Sequence, residues 1–326
     1  MAARESKFLT LVARKPGFGL PTACPDCLSV YFYLKFANVL FDLWVNSKFP
    51  DSDQIPYVES GDYVAFNNEK GGVIESLKED GVVDLDSSFQ NVPEWISTKV
   101  MISSWLRDAL IYEIWIASEA NTGLKIFYSD LPWPIGKILS FKQIYIVKQL
   151  LGITKENAER RETEIYRRAG IAYGALSTRL GEDSLLFDRP TSVDAMFLGH
   201  ALFILQALPE TSVLRSKLLT YNNLVKYAEN LSTELAEVAS SSSAPSSRSD
   251  PSSSTSRSGF SKWNSKAKSK PKRERTEEDK KFRRRGKYFL AVQFVSILVF
   301  LTLLGGMGAD EVELEDEGNA DFDYED

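Results

Sequence analysis

Two cysteines separated by two residues, Cys24-Pro25-Asp26-Cys27, are the side chains of this sequence whose type and spacing are best suited to chemistry. They follow an apolar run at 8–14 and open the segment 24–38, whose Leu28, Tyr31, Phe32, Leu34, Lys35 and Phe36 suit a buried helix. A thiol at a helix N-terminus sits at the positive end of the helix dipole, which lowers its pKa and favours the nucleophilic thiolate. Two readings stay open: a thiol redox pair, or two small thiols buried on the first helix. The chain holds no other cysteine and a single histidine, His200. Two thiols supply half of a tetrahedral zinc site and His200 is remote in sequence, so no metal is expected. A Ser-His-Asp triad would have to use His200, which lies in the apolar run Ala195–Leu208 with no evident nucleophile beside it. No GxxxxGK phosphate loop is present, and Gly17-x-Gly19 and Gly71-Gly72 read as turn glycines. No cofactor is expected.

The elements that must position the thiols can be read from the pattern around them. Residues 8–14 read as a strand, followed by a turn at Pro16-Gly17-Phe18-Gly19-Leu20-Pro21, with Thr22 as the expected N-cap of the first helix. Phe41 to Val45 reads as a second strand. A third begins at Ile55-Pro56-Tyr57-Val58, turns at Gly61-Asp62, and pairs with a fourth at Tyr63 to Phe66. Val73 to Lys78 closes the unit as a helix, giving β-α-β followed by β-β-α. From Val92 the pattern is helical: 94–118, 140–151, a helix capped by Thr154 and carrying Ile165, Ala169, Ala172, Tyr173, Leu176 and Leu180, the apolar run from Ala195, and a last helix over about 211–238. Thr191 at N-cap and Asp194 three residues on form a capping box, with Asp in the place usually taken by Glu.

The rest of the chain is segregated by composition. Thirteen of the twenty-two residues 240–261 are Ser, too polar to bury a core and read as a flexible linker. Residues 262–287 hold thirteen Lys and Arg against four acids, and 310–326 hold ten Asp and Glu with no base. Between them Tyr288–Gly308 runs twenty-one residues without a charge. As a helix it would be roughly 31 Å long, matching a hydrocarbon core of about 30 Å. The basic flank, ending in Arg283-Arg284-Arg285 and Lys287, holds the upstream side in the cytosol and sends the acidic tail across. The same flank, directly against the span, reads as a clamp on anionic lipid rather than a nucleic-acid site. The expected organisation is an α/β thioredoxin-like domain (1–85), an all-helical domain (90–238), a linker (239–287), a transmembrane helix (288–308) and an acidic tail (309–326).

A thioredoxin-like domain followed by an all-helical one resembles the glutathione transferase architecture. The segment Phe187-Asp188-Arg189-Pro190-Thr191-Ser192-Val193-Asp194 is similar to the capping box that opens the central helix of that family's second domain, and Pro56 sits where the family carries its cis-proline. Gly19-Leu20-Pro21-Thr22, Tyr33-Leu34-Lys35-Phe36-Ala37 and Leu131-Pro132-Trp133-Pro134, with the C-terminal span, narrow the resemblance to the metaxins. These are glutathione-transferase-like subunits of mitochondrial outer-membrane import and β-barrel assembly. The resemblance implies a non-catalytic subunit, tail-anchored in that membrane with its body in the cytosol and its tail in the intermembrane space. It also implies partners among β-barrel assembly and import subunits, precursor proteins and membrane lipids, and no nucleic acid. One departure from the transferases supports that reading: where they hold glutathione with an acidic residue and a Ser, Glu69-Lys70 aligns here. The alternative is a membrane-tethered thiol oxidoreductase or glutathione transferase using Cys24, with Cys27 and Pro56 beside it.

Overall fold

Leu9, Leu11, Val12 and Ala13 place apolar side chains on both faces of the first strand, which only a strand covered on both sides can bury. The computed structural model describes residues 8–46, 53–118 and 121–241, and in it β1 (Leu9–Ala13) lies inside a four-stranded sheet of order β2-β1-β3-β4. β1 runs parallel to β2 (Phe41–Val45), with Leu9 opposite Phe41 and Ala13 opposite Val45. β3 (Tyr57–Ser60) is antiparallel to β1, Leu11 facing Val58, and forms a hairpin with β4 (Tyr63–Phe66). The parallel pair needs a crossover, supplied by α1 (Pro25–Phe36); α2 (Val73–Glu79) follows the hairpin. The peptide bond Ile55-Pro56 is cis, directly before β3.

The helical part begins with α3 (Pro93–Met101), a π-helical segment Ile102–Leu106, α4 (Arg107–Tyr112), a second π-helical segment Glu113–Ala117, and α5 (Asn121–Phe127). It continues through α6 (Trp133–Leu150), α7 (Ala158–Leu180), α8 (Ser192–Ala207), α9 (Val213–Leu219) and α10 (Asn222–Ser241). Several boundaries differ from those read in the sequence; α6, for one, starts at Trp133 and not at 140. Pro25, with its fixed φ and no N–H, starts α1 at its first position, so Cys24 rather than Thr22 is the N-cap. Asn157 caps α7, and Thr154 instead donates its backbone N–H to Asn157 Oδ1 at 2.8 Å. The last helix is two helices, because the break at Thr220-Tyr221 seats Tyr221 against Tyr173 and brings its hydroxyl to the Gly170 carbonyl. Among the described residues no helix is long and apolar enough to cross a membrane. The expected span 288–308, its flanking Arg283, Arg284, Arg285 and Lys287, and the acidic tail lie outside the described residues.

α8 is the axis of the core. Phe197, Leu198, Ala201, Phe203 and Ile204 are all fully buried, so the helix is enclosed on every side, and it packs along α1. Gly199 allows that approach. A methyl group there would stand 2.9 Å from the Ser29 backbone nitrogen and 3.2 Å from Leu28 Cβ. In a free helix Gly→Ala is stabilising by about 1 kcal/mol. Here the clash should reverse the sign, and Gly199→Ala should lose about 2 kcal/mol in denaturant melts. A gain in stability would show that α1 and α8 are free to separate.

Candidate functional site

Both thiols sit at the start of α1, and both are free and buried, Cys27 completely. Burial pushes the Cys27 thiol well above its ordinary value, so it keeps its proton and its S–H donates a hydrogen bond to Cys24 Sγ. That hydrogen bond pulls Cys24 down, with the nearby Arg14 guanidinium adding to it, while burial and Asp26 oppose. The antiparallel register pairs Val12 with Tyr57, so the cis-proline Pro56 stands one step further along, at the sheet end where β1 leaves towards α1. The cis-proline thus stands at the sheet end from which the chain leads to Cys24, and both thiols are buried.

Next to them lies a cleft of about 250 Å³ between α1, the start of α2, the α3–α4 region and α8. Pro25 and Asp26 line it; neither cysteine does. Its charges are matched across the gap. Asp26 Oδ2 meets Arg107 Nη2 at 3.3 Å, and Glu75 bridges Lys99 and Lys78, the latter also 2.9 Å from the buried Asp86. This is a zipped seam in which each acid already has its base. Glu69 and Lys70 do not enter it. Lys70 has a positive φ and pairs with Asp80 at 2.8 Å, at the far end of α2. The turn into α2 is made by Gly71 and Gly72, both at positive φ, and residues 67–75 read NNEKGGVIE, with no Ser or Thr. The next residue, Ser76, is buried in the first turn of α2 and gives its hydroxyl to the Gly72 carbonyl at 3.1 Å, so it is not offered to the cleft.

His200 forms part of the cleft wall and is buried. Its Nε2 lies 2.8 Å from the Tyr173 hydroxyl, and burial lowers its pKa to about 3, so the ring is neutral. Its partner is a phenol whose own proton is held by burial, which is no nucleophile. His200 is a core group that closes the seam.

Two buried carboxylates organise the helical part. Asp194 Oδ2 accepts from the Thr191 backbone N–H at 3.0 Å and the Thr191 hydroxyl at 2.9 Å, tying the start of α8. Its other oxygen accepts from Leu186 N–H at 3.0 Å and the Tyr227 hydroxyl at 2.9 Å, so one carboxylate joins α8, the preceding loop and α10. Burial raises its pKa, against the pull of those hydrogen bonds. Glu113 was not singled out from the sequence. Its Oε1 accepts from the Tyr166 hydroxyl, the Ser212 hydroxyl and the Leu214 N–H, at 3.0, 3.0 and 2.8 Å. The available signal was a lone acid in the apolar run 109–117. A π-helical segment is a common place for such a tie, because the extra residue re-aims a side chain.

Comparison with known proteins agrees with this geometry. Residues 25–121 match the glutathione S-transferase N-terminal domain family and residues 169–231 the glutathione S-transferase C-terminal domain family. The chain is 57% identical over 315 residues to a protein of Arabidopsis thaliana named mitochondrial outer membrane import complex protein metaxin, covering 96% of this chain and 98% of that one. It is 26% identical over 225 residues to metaxin-1 of Mus musculus, covering 66% and 71%. It is 25% identical over 193 residues to metaxin-2 of Homo sapiens, covering 55% and 69%. A solved glutathione transferase of Phanerochaete chrysosporium aligns with a TM-score of 0.45 and 14% identity over 69% of this chain and 96% of its own. The fold is glutathione-transferase-like: a thioredoxin-type α/β part followed by an all-helical part.

Proposed function

The chain belongs to the metaxin family, and from that premise we propose that it is a non-catalytic subunit of mitochondrial outer-membrane protein import and β-barrel assembly. Its body faces the cytosol and binds precursors or partner subunits. Residues 288–308 anchor it by a single span, and the tail 309–326 lies in the intermembrane space. The similarity over nearly the full length to a protein named for the import complex is the observation that carries this reading.

The site supports it in three ways. The thiols are buried and hydrogen-bonded to each other and to the backbone of Cys27 and Arg14. The cleft charges are already paired, and the hydroxyl in the first turn of α2, Ser76, is buried and bonded to the Gly72 carbonyl. The anchor reading rests on the uncharged run of twenty-one residues and the four basic residues before it.

One assay separates this subunit from the thiol enzyme that the same fold could have been. The purified full chain, given glutathione and an electrophile or a disulfide substrate, should show no turnover above the uncatalysed rate. Thiol-dependent turnover that disappears in Cys24→Ser with Cys27→Ser would overturn the reading.

A further inference from the structure

α6 (Trp133–Leu150) has two apolar sides, of which the protein uses one. Gly136, Ser140 and Val147 face inward and are buried. At 100° per residue, Ile138 and Tyr145 point the opposite way, with Phe141 on one flank and Ile135 and Ile146 on the other. All five are exposed: Phe141 by 68%, Tyr145 by 66%, and the three isoleucines by 42 to 48%. Scattered apolar residues on a surface are ordinary, but five on one helix face within twelve positions make a patch that calls for an occupant. The charge pattern identifies it. α6 carries Lys137, Lys142 and Lys148 and no Asp or Glu; Lys137 and Lys148 lie along the Phe141 edge of the apolar stripe and Lys142 within it, between Ile138 and Ile135. Apolar and aromatic side chains interleaved with lysines, and no acid on the helix, match the boundary between acyl chains and anionic headgroups. A second copy of the chain fits poorly, since a two-fold contact through this face would set lysines against lysines.

We propose that the outer face of α6 lies in the surface of an anionic bilayer and so fixes how the body is oriented on the membrane. This deepens the anchored reading above and rests on it in one respect: only forty-six residues, 242–287, separate α10 from the expected span, so an anchored body meets the bilayer as an intramolecular neighbour. The contact is a second, reversible membrane attachment, electrostatic and shallow, that turns a tethered domain into an oriented one.

The test uses the full chain reconstituted into vesicles through its own C-terminus. An environment-sensitive fluorophore is placed at Phe141→Cys or, as the reference, at Glu229→Cys on α10, under native conditions that leave the buried Cys24 and Cys27 unlabelled. In phosphatidylserine-containing vesicles, lipids carrying a shallow quencher should quench the label at position 141 at least about two-fold more than the one at 229. The difference should shrink in phosphatidylcholine alone, at high salt, and in the triple variant Lys137→Gln, Lys142→Gln, Lys148→Gln. Equal quenching at the two positions would overturn the proposal. So would a shielded label at 141 that lipid quenchers cannot reach and that depends on protein density, the mark of a protein occupant. Flotation reads the anchor separately: if the chain fails to float, the anchored reading falls, and quenching after mixing with preformed anionic vesicles still decides the role of α6.

Discussion

Asp194→Ala should destabilise the folded body by about 3 kcal/mol or more, well beyond the loss of a helix cap. Thr191→Ala removes the threonine side of the same box and should cost about 1 kcal/mol. The difference lies in what each substitution leaves behind. Without the Asp194 carboxylate, the Thr191 and Leu186 N–H groups and the Tyr227 hydroxyl are donors in a region closed to water, each facing a gap. Without the Thr191 hydroxyl, the carboxylate keeps three of its four bonds. Asp194→Asn should fall between, because its amide oxygen can accept while its NH2 meets donors. The double substitution Thr191→Ala with Asp194→Ala should cost less than the sum, since the two residues share a bond. Denaturant melts of the detergent-solubilised full chain measure all four. If Asp194→Ala is no worse than Thr191→Ala, Asp194 is a cap and nothing more.

Between about pH 6.5 and 5, acid should weaken the fold chiefly through one residue. An unfolded chain would titrate His200 near the ordinary imidazole value of about 6.5. In the folded protein burial holds it down to about 3. The unfolded state therefore takes up a proton below about pH 6.5 that the folded state refuses, so the stability present above that pH is lost as pH falls towards 3. Between pH 6.5 and 5 the loss should be about 2 kcal/mol. Because His200 is the only histidine, that window belongs to it, and His200→Gln should flatten the slope there even though it disturbs the contact with Tyr173. The single imidazole resonance in a proton spectrum gives a direct check: it should not move between pH 7 and 5. A resonance titrating near 6.5 would place His200 in water and contradict the sealed seam.

The sheet and its helices were legible because local signals agree with the tertiary outcome. The apolar run at 8–14, the Gly61-Asp62 turn and the Thr191–Asp194 spacing each specify a short segment, and the structure uses all three. The misplaced boundaries share one cause. At Thr22 a local capping preference loses to Pro25; at Thr154 it loses to Asn157; between α9 and α10 the amphipathic period runs through a break imposed by Tyr221. The Leu131-Pro132-Trp133-Pro134 motif was read as a family feature, whereas its prolines also start α6, seven residues before the expected helix. The site was half legible. Spacing revealed the thiol pair, but not that both thiols are buried with Cys27 hydrogen-bonded to Cys24. Glu113 reaches Ser212 and Leu214 across about a hundred residues of sequence, and no window of local periodicity can report that. The outer face of α6 was invisible for the opposite reason: an apolar helix reads as core until the structure shows which side is covered.

The central claim, an anchored subunit that works by binding rather than by thiol chemistry, meets its most direct test in mitochondria lacking this protein. A labelled β-barrel precursor is imported, and its assembly into the outer membrane is followed after rescue with three forms: the full chain, Cys24→Ser with Cys27→Ser, and a chain ending at residue 287. The account predicts that the double thiol variant restores assembly as fully as the full chain. The truncated form should fold, come off the membrane at high salt and fail to restore it. Rescue by the truncated form together with failure of the thiol variant would contradict the account and return the protein to the thiol enzymes.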